Sequence, residues 1–172
     1  MYLRTSHKTL AALLFALMAS PVGAESRADP AFFNLQANQI VGTWEASTRT
    51  GPCGGPFGMP FLAFTVFHAG GTLTETNMAP LAGVPTPFGQ AIRGPAFGTW
   101  SYDRRNRTRT AQMRFNWFVN GLYHGYQQIQ FDRIELDPDS SSLSGTFSAT
   151  RNFIDGRPAI PNCGDVVMSR TP

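Results

Sequence analysis

Between Ile40 and Arg170 the chain shows no stretch of convincing helical periodicity. It reads as runs rich in β-branched and aromatic residues, separated by clusters of Gly and Pro. Eight such runs fall at 40–47, 61–69, 72–78, 97–103, 110–119, 122–136, 142–153 and 163–170. Consecutive strands without helical crossovers pair antiparallel. A sandwich or a closed barrel would satisfy that pattern, and the connections separate the two. The links at 70–71, 104–109 and 137–141 are short and turn-like, whereas 48–60, 79–96 and 154–162 are long and rich in Gly, Pro and Phe. In a meander, successive links alternate between ends. All the long links therefore fall at one end, which suits a barrel with an open mouth and a closed base. The expected fold is all-β: an eight-stranded antiparallel up-and-down barrel, with a short helix over 30–36 at its closed end. Asp29 would be the N-cap of that helix and Pro30 its first residue.

The start of the chain carries a different signal. Arg4, His7 and Lys8 precede an apolar run from Leu10 to Met18, and Val22-Gly23-Ala24 offers a small-residue cleavage site. The chain therefore divides into a signal peptide over 1–24, an N-terminal segment over 25–39, and a barrel over 40–172. Cleavage near Ala24 would send the protein to a bacterial periplasm or outside the cell, with no membrane span in the mature form. Of the 14 basic residues, Arg4 and Lys8 lie in the leader, leaving 12 Arg against 11 acids, a net of +1. That balance is no electrostatic footprint for nucleic acid. Arg104, Arg105, Arg107 and Arg109 read as a solvated hairpin tip. Cys53 and Cys163, an even pair in an exported chain, favour one disulfide. Closing the last strand onto the first would bring both to the mouth. No metal-ligand spacing occurs, and no metal or other cofactor is expected.

One turn sets the expected interior. Asn120-Gly121 calls for a two-residue type I′ turn, which would fix the pairing on either side. Ala111, Met113, Phe115, Trp117 and Val119 form the apolar parity before the turn. Direct pairing then carries Leu122, His124, Tyr126, Gln128 and Gln130 inward, followed by Asp132, Ile134 and Leu136. The run at 142–153 adds Leu143, Gly145, Phe147, Ala149, Arg151 and Phe153. A filled core would not carry that polar set without partners, so a cavity is expected. Its candidate ligand-binding residues are His124, Tyr126, Gln128 and Arg151 on the polar side, and Met113, Phe115, Trp117 and Phe147 on the apolar side. Arg151 would meet a carboxylate or other anionic head, or else pair with Asp132 or another interior acid.

Gly42-Thr43-Trp44 opens the first run, and Arg170 ends the last. With the strand pattern around them, these residues make the chain resemble small secreted bacterial lipocalin-like proteins of the calycin superfamily. The resemblance implies that Gly42, Trp44 and Arg170 are structural, with the Arg packed across the Trp at the closed base. It also implies carriage of a small hydrophobic molecule and names no ligand. Three readings of function follow. The first is an exported barrel that binds a small hydrophobic or amphipathic molecule. The second is a barrel enzyme, of isomerase or cyclase type, using His124 or Tyr126 as acid/base and Arg151 as anion anchor. The third is a scaffold whose mouth loops dock another exported protein.

Overall fold

The computed structural model describes residues 35–80 and 82–172. The expected leader, Asp29 and residues 30–34 of the expected helix lie outside the described residues. Ten strands follow: β1 (Gly42–Gly51), β2 (Phe61–Phe67), β3 (Thr72–Asn77), β4 (Val84–Thr86), β5 (Gly89–Arg93), β6 (Ala96–Asp103), β7 (Thr108–Val119), β8 (Leu122–Leu136), β9 (Ser142–Phe153) and β10 (Ile160–Arg170). The hydrogen-bonded order is β4-β5-β7-β6-β3-β2-β1-β10-β9-β8, and β8 returns to β7. The wall is thus an antiparallel barrel of eight strand positions. β10 lies on β1 from Trp44↔Arg170 to Gly51↔Cys163.

The fourth wall position is split. β6 pairs the first half of β7, from Asp103↔Thr108 to Phe97↔Arg114. β5 pairs its last residues, from Arg93↔Trp117 to Ala91↔Val119. Gly94 and Pro95 separate them, and Pro95 has no N–H to give to a ladder. The long link expected over 79–96 therefore contains a β4–β5 hairpin that heightens the wall at the mouth.

The base is closed by packing. Trp44 and Ile40 are fully buried, and the Trp44 indole N–H donates to the Ile40 carbonyl at 2.8 Å. The Arg170 guanidinium lies 4.3 Å from the Trp44 ring centroid. Its Nε donates to the Ser140 carbonyl at 2.9 Å, its Nη1 to Val41 at 2.9 Å, and its Nη2 to the Gln39 carbonyl. Gly42 permits this crossing. Its φ is +137°, and a Cβ there would stand 2.6 Å from Arg170 Nη1. Phe67 and Trp100 pack edge to face at 6.3 Å nearby, with Leu73 and Leu143 completing the floor.

The expected short N-terminal helix is corrected here. Its described residues, Leu35 and Gln36, are a bend and a turn, and the segment ends in a single 3-10 turn, Asn38–Ile40. The Asn38 N–H donates to Leu35 and the Val41 N–H to Asn38, at 2.8 and 2.9 Å. The carbonyls that a continuing helix would use are taken from the side: Gln39 by Arg170 and Ile40 by Trp44. Arg109 is also corrected. Unlike the exposed Arg104, Arg105 and Arg107, it is buried. Its guanidinium stacks 5.0 Å from the Tyr102 ring and donates to the Gln36 carbonyl.

At the mouth, Cys53 and Cys163 are disulfide-bonded with Cα atoms 4.8 Å apart, closing a separation of 110 residues. The bond ties the β1–β2 link to the β10–β1 seam. Two measurements test these closures. Arg170→Met should lower the urea-unfolding free energy by about 2–4 kcal/mol, from the lost stack and charged hydrogen bonds; a change below about 0.5 kcal/mol would contradict the base as described. Replacing both cysteines with Ser should cost about 4–5 kcal/mol if the bond acts on unfolded-chain entropy.

Candidate ligand-binding cavity

Asn120 and Gly121 both have positive φ, and Val119 pairs with Leu122, the type I′ geometry expected of this turn. The register then shifts. Phe118 pairs with Tyr123, but Trp117 pairs with Gly125, so His124 is the extra residue of a bulge. Gly125 has φ +140°, and a Cβ on it would stand 2.0 Å from the Asn152 carbonyl oxygen. Only glycine fits there. From this point β8 faces inward through Gly125, Gln127, Ile129 and Phe131, all buried. A second irregularity at Asp132 restores the expected parity for Ile134 and the half-buried Leu136.

The inward placement expected of Tyr126, Gln128 and Gln130 is therefore not found. Tyr126 lies against the outward Arg114, whose guanidinium is 3.7 Å from its ring centroid. Gln128 and Gln130 are exposed. Asp132 is exposed in the second bulge and makes no pair with Arg151. His124 and Tyr126, the alternative acid/base candidates, stand at different surfaces: one beneath the mouth, the other on the outer wall.

The barrel encloses a cavity of about 220 Å³. Met113, Phe115 and Trp117 from β7, Ile129 and Phe131 from β8, Phe147 from β9, and Val166 and Met168 from β10 form its apolar side. The facing wall is mixed: Thr48 and Thr50 from β1, Thr65 from β2, and Glu75 and Asn77 from β3 stand among Ala46, Phe61, Ala79, Val84 and Ala91. Strand alternation explains both sets, because members on one strand sit an even number of positions apart. Trp117 Nε1 donates to Gln127 Oε1 at 3.0 Å, so the inward glutamine is satisfied.

Arg93 of β5 enters the mixed wall and pairs with Glu75; the two side chains are 6% and 4% exposed. The guanidinium also lies 3.9 Å from the Phe115 ring centroid. Burial lifts the Glu75 carboxyl above its ordinary value of 4.5, while the charge and hydrogen bond of Arg93 pull it down. Sequence reasoning missed this pair. Glu75 was legible, since Leu73, Glu75 and Asn77 alternate with Thr72, Thr74 and Thr76. Arg93 was hidden in a link read as a loop.

At the rim, Arg151 points inward, paired across the sheet with Gln127. Its guanidinium is 4.5 Å from the Trp117 ring centroid, 5.4 Å from Phe153 and 5.8 Å from Phe88. Its buried Nε and Nη2 have no hydrogen-bond partner among the described residues. Burial, and then the charge of Arg157, lower its pKa from the usual value. Phe88, at the tip of the β4–β5 hairpin, and Phe153 each lie 5.5 Å from the His124 ring. His124 Nδ1 is likewise buried without a partner among the described residues. Arg157 is held by Asp155, with Nε donating to Oδ1 at 2.9 Å. In the β1–β2 link at the mouth, Phe57 is partly exposed and Met59 almost wholly so.

No protein-family model matches this chain, and no curated protein matches it. The lipocalin-like resemblance thus has no family match behind it. Among solved structures, the chain is similar to Rv2717c from M. tuberculosis, known as a crystal structure. The two share 15% identity at a TM-score of 0.40, over 84% of this chain and 99% of that one. A likeness so distant carries no argument about function, and the barrel rests on the strand pairing described above.

The Glu75–Arg93 pair makes a signed prediction. Arg93→Met leaves a buried carboxylate alone and should cost about 3–5 kcal/mol at pH 7. A carboxyl whose folded value is raised favours folding below its ordinary value and loses that contribution as pH rises through the folded value. The variant should therefore regain stability as the pH falls from 7 toward about 5. Urea unfolding at the two pH values checks this, and a deficit independent of pH would contradict it.

Proposed function

We propose that this chain is a binding barrel that holds a small apolar or amphipathic molecule in its interior. The observation that carries this reading is the cavity itself, about 220 Å³ between an apolar wall and a mixed one. A wholly packed core needs no such space, since protein interiors are ordinarily filled to crystal-like density. Met113, Phe115, Trp117 and Phe147 would hold the apolar body, and Met adapts to irregular shapes. Arg151 and His124 would meet the polar or anionic head beneath Phe88. Tyr126 and Gln128 take no part, because they stand on the outer wall.

Export belongs to the same reading. The leader-like residues 1–24 support it, as does the disulfide, a bond that persists in oxidising compartments. The periplasm and the extracellular space suit it equally. No helix among the described residues is long and apolar enough to cross a membrane.

The test is occupancy. Thr48→Phe would place a ring in the cavity from its mixed wall. The wild-type protein should bind 1-anilinonaphthalene-8-sulfonate, and Thr48→Phe should lose at least about tenfold in affinity, a loss of about 1.4 kcal/mol, while still unfolding cooperatively. Equal dye binding by the two proteins would place the dye elsewhere and remove this reading. Native mass spectrometry of freshly purified protein should also show a bound small molecule that is lost on denaturation.

A further inference from the structure

The Phe115 and Trp117 rings meet at 5.4 Å between centroids, and each carries a guanidinium. Arg93 lies on Phe115 and Arg151 on Trp117, at 3.9 and 4.5 Å. One edge-to-face pair of rings in the β7 wall thus joins two cations, and the two differ in one respect. Arg93 is neutralised by Glu75 deep in the wall, yet its Nε is buried without a partner among the described residues. Arg151 has no carboxylate partner among the described residues, and two of its nitrogens are buried and unpartnered there. Asp155, the acid of the adjoining loop, is already bound by Arg157.

Buried donors without acceptors are costly, and a buried ion pair is a poor way to stabilise a core compared with apolar side chains of the same volume. Arg93 lines the cavity and Arg151 lies on Trp117, which lines it, so both are placed to suit a ligand that completes them. The cavity, about 220 Å³, is smaller than the roughly 300–1,000 Å³ of drug-sized pockets, so the body is short.

We propose that the cavity takes a small monocarboxylate bearing a second, neutral oxygen. The carboxylate lies on Arg151 at the rim, and the neutral oxygen accepts from Arg93 Nε inside. This rests on the ligand-binding reading above and specifies the class of molecule bound. Glu75 sets the polarity: it cancels the inner charge, so an anion gains little there, while the uncancelled Arg151 draws the anionic end outward. His124, against the same Phe88 and Phe153 rings, offers Nδ1 to that end.

The experiment is calorimetric titration with 4-hydroxycinnamate, cinnamate and 4-hydroxycinnamamide, against wild type, Arg151→Gln and the double variant Glu75→Leu/Arg93→Met. The double variant removes both buried charges together, so that neither is stranded. Wild type should bind 4-hydroxycinnamate best, with at least about a tenfold loss for either missing group, as when a polar partner is left unpaired. Arg151→Gln should erase the preference for acid over amide and keep the preference for the hydroxyl. The double variant should do the reverse. Equal affinity of wild type for all three compounds, or either preference surviving its own variant, overturns the proposal. If the dye still binds in that case, the cavity reading stands without it. If neither the three compounds nor the dye binds wild type, both fall.

Discussion

What lines this barrel is decided by one backbone contact, the approach of Gly125 to the Asn152 carbonyl. A side chain at 125 has no room. The strand therefore bulges at His124, and parity flips for the residues that follow. The consequence is chemical. Without the bulge, Tyr126, Gln128 and Gln130 would face the interior, a polar set in need of partners. With it, Ile129 and Phe131 join the apolar side, and Gln127 alone arrives with a polar group, which Trp117 satisfies. The second irregularity at Asp132 then returns Ile134 to the floor. A cavity with one apolar face results from two local corrections in a single long strand.

The two ends of the barrel are built from different forces. At the base, Trp44 and Arg170 close the seam with a stack and three carbonyl contacts, and large side chains fill the space. Higher up, the β4–β5 hairpin extends the wall and carries Phe88 over the rim and Arg93 into the interior. The hairpin is fastened to the turn of β7–β8, where the Gln90 N–H donates to Asn120 Oδ1 at 3.0 Å and the Asn120 N–H to the Gln90 carbonyl at 2.8 Å. Empty space lies between the packed base and this aromatic rim.

Much of the wall was legible because its signals are local. Alternation in 110–119, the Asn-Gly turn and the division of long and short links each report a few neighbouring residues, and together they give an antiparallel barrel. The disulfide followed from two cysteines and closure of the seam. The 3-10 turn was not legible, because what stops a helix there is the capture of the Gln39 and Ile40 carbonyls by residues far along the chain. The bulge left one trace, a glycine in the middle of a strand, which is a known mark of close backbone approach. The Glu75–Arg93 pair depends on a hairpin whose strands are too short to read from composition, and its partner lies on another strand. Arg151 points inward, with Gln127 as its neighbour across the sheet.

Thiol labelling measures the central claim most directly. Gln127→Cys and Gln128→Cys, each with the native disulfide intact, should react with a bulky maleimide at very different rates under native conditions. The account predicts rapid labelling at 128 on the outer wall and strong protection at 127 within the barrel. Protection at 128 with rapid labelling at 127 would restore the unbulged register and contradict the cavity described here.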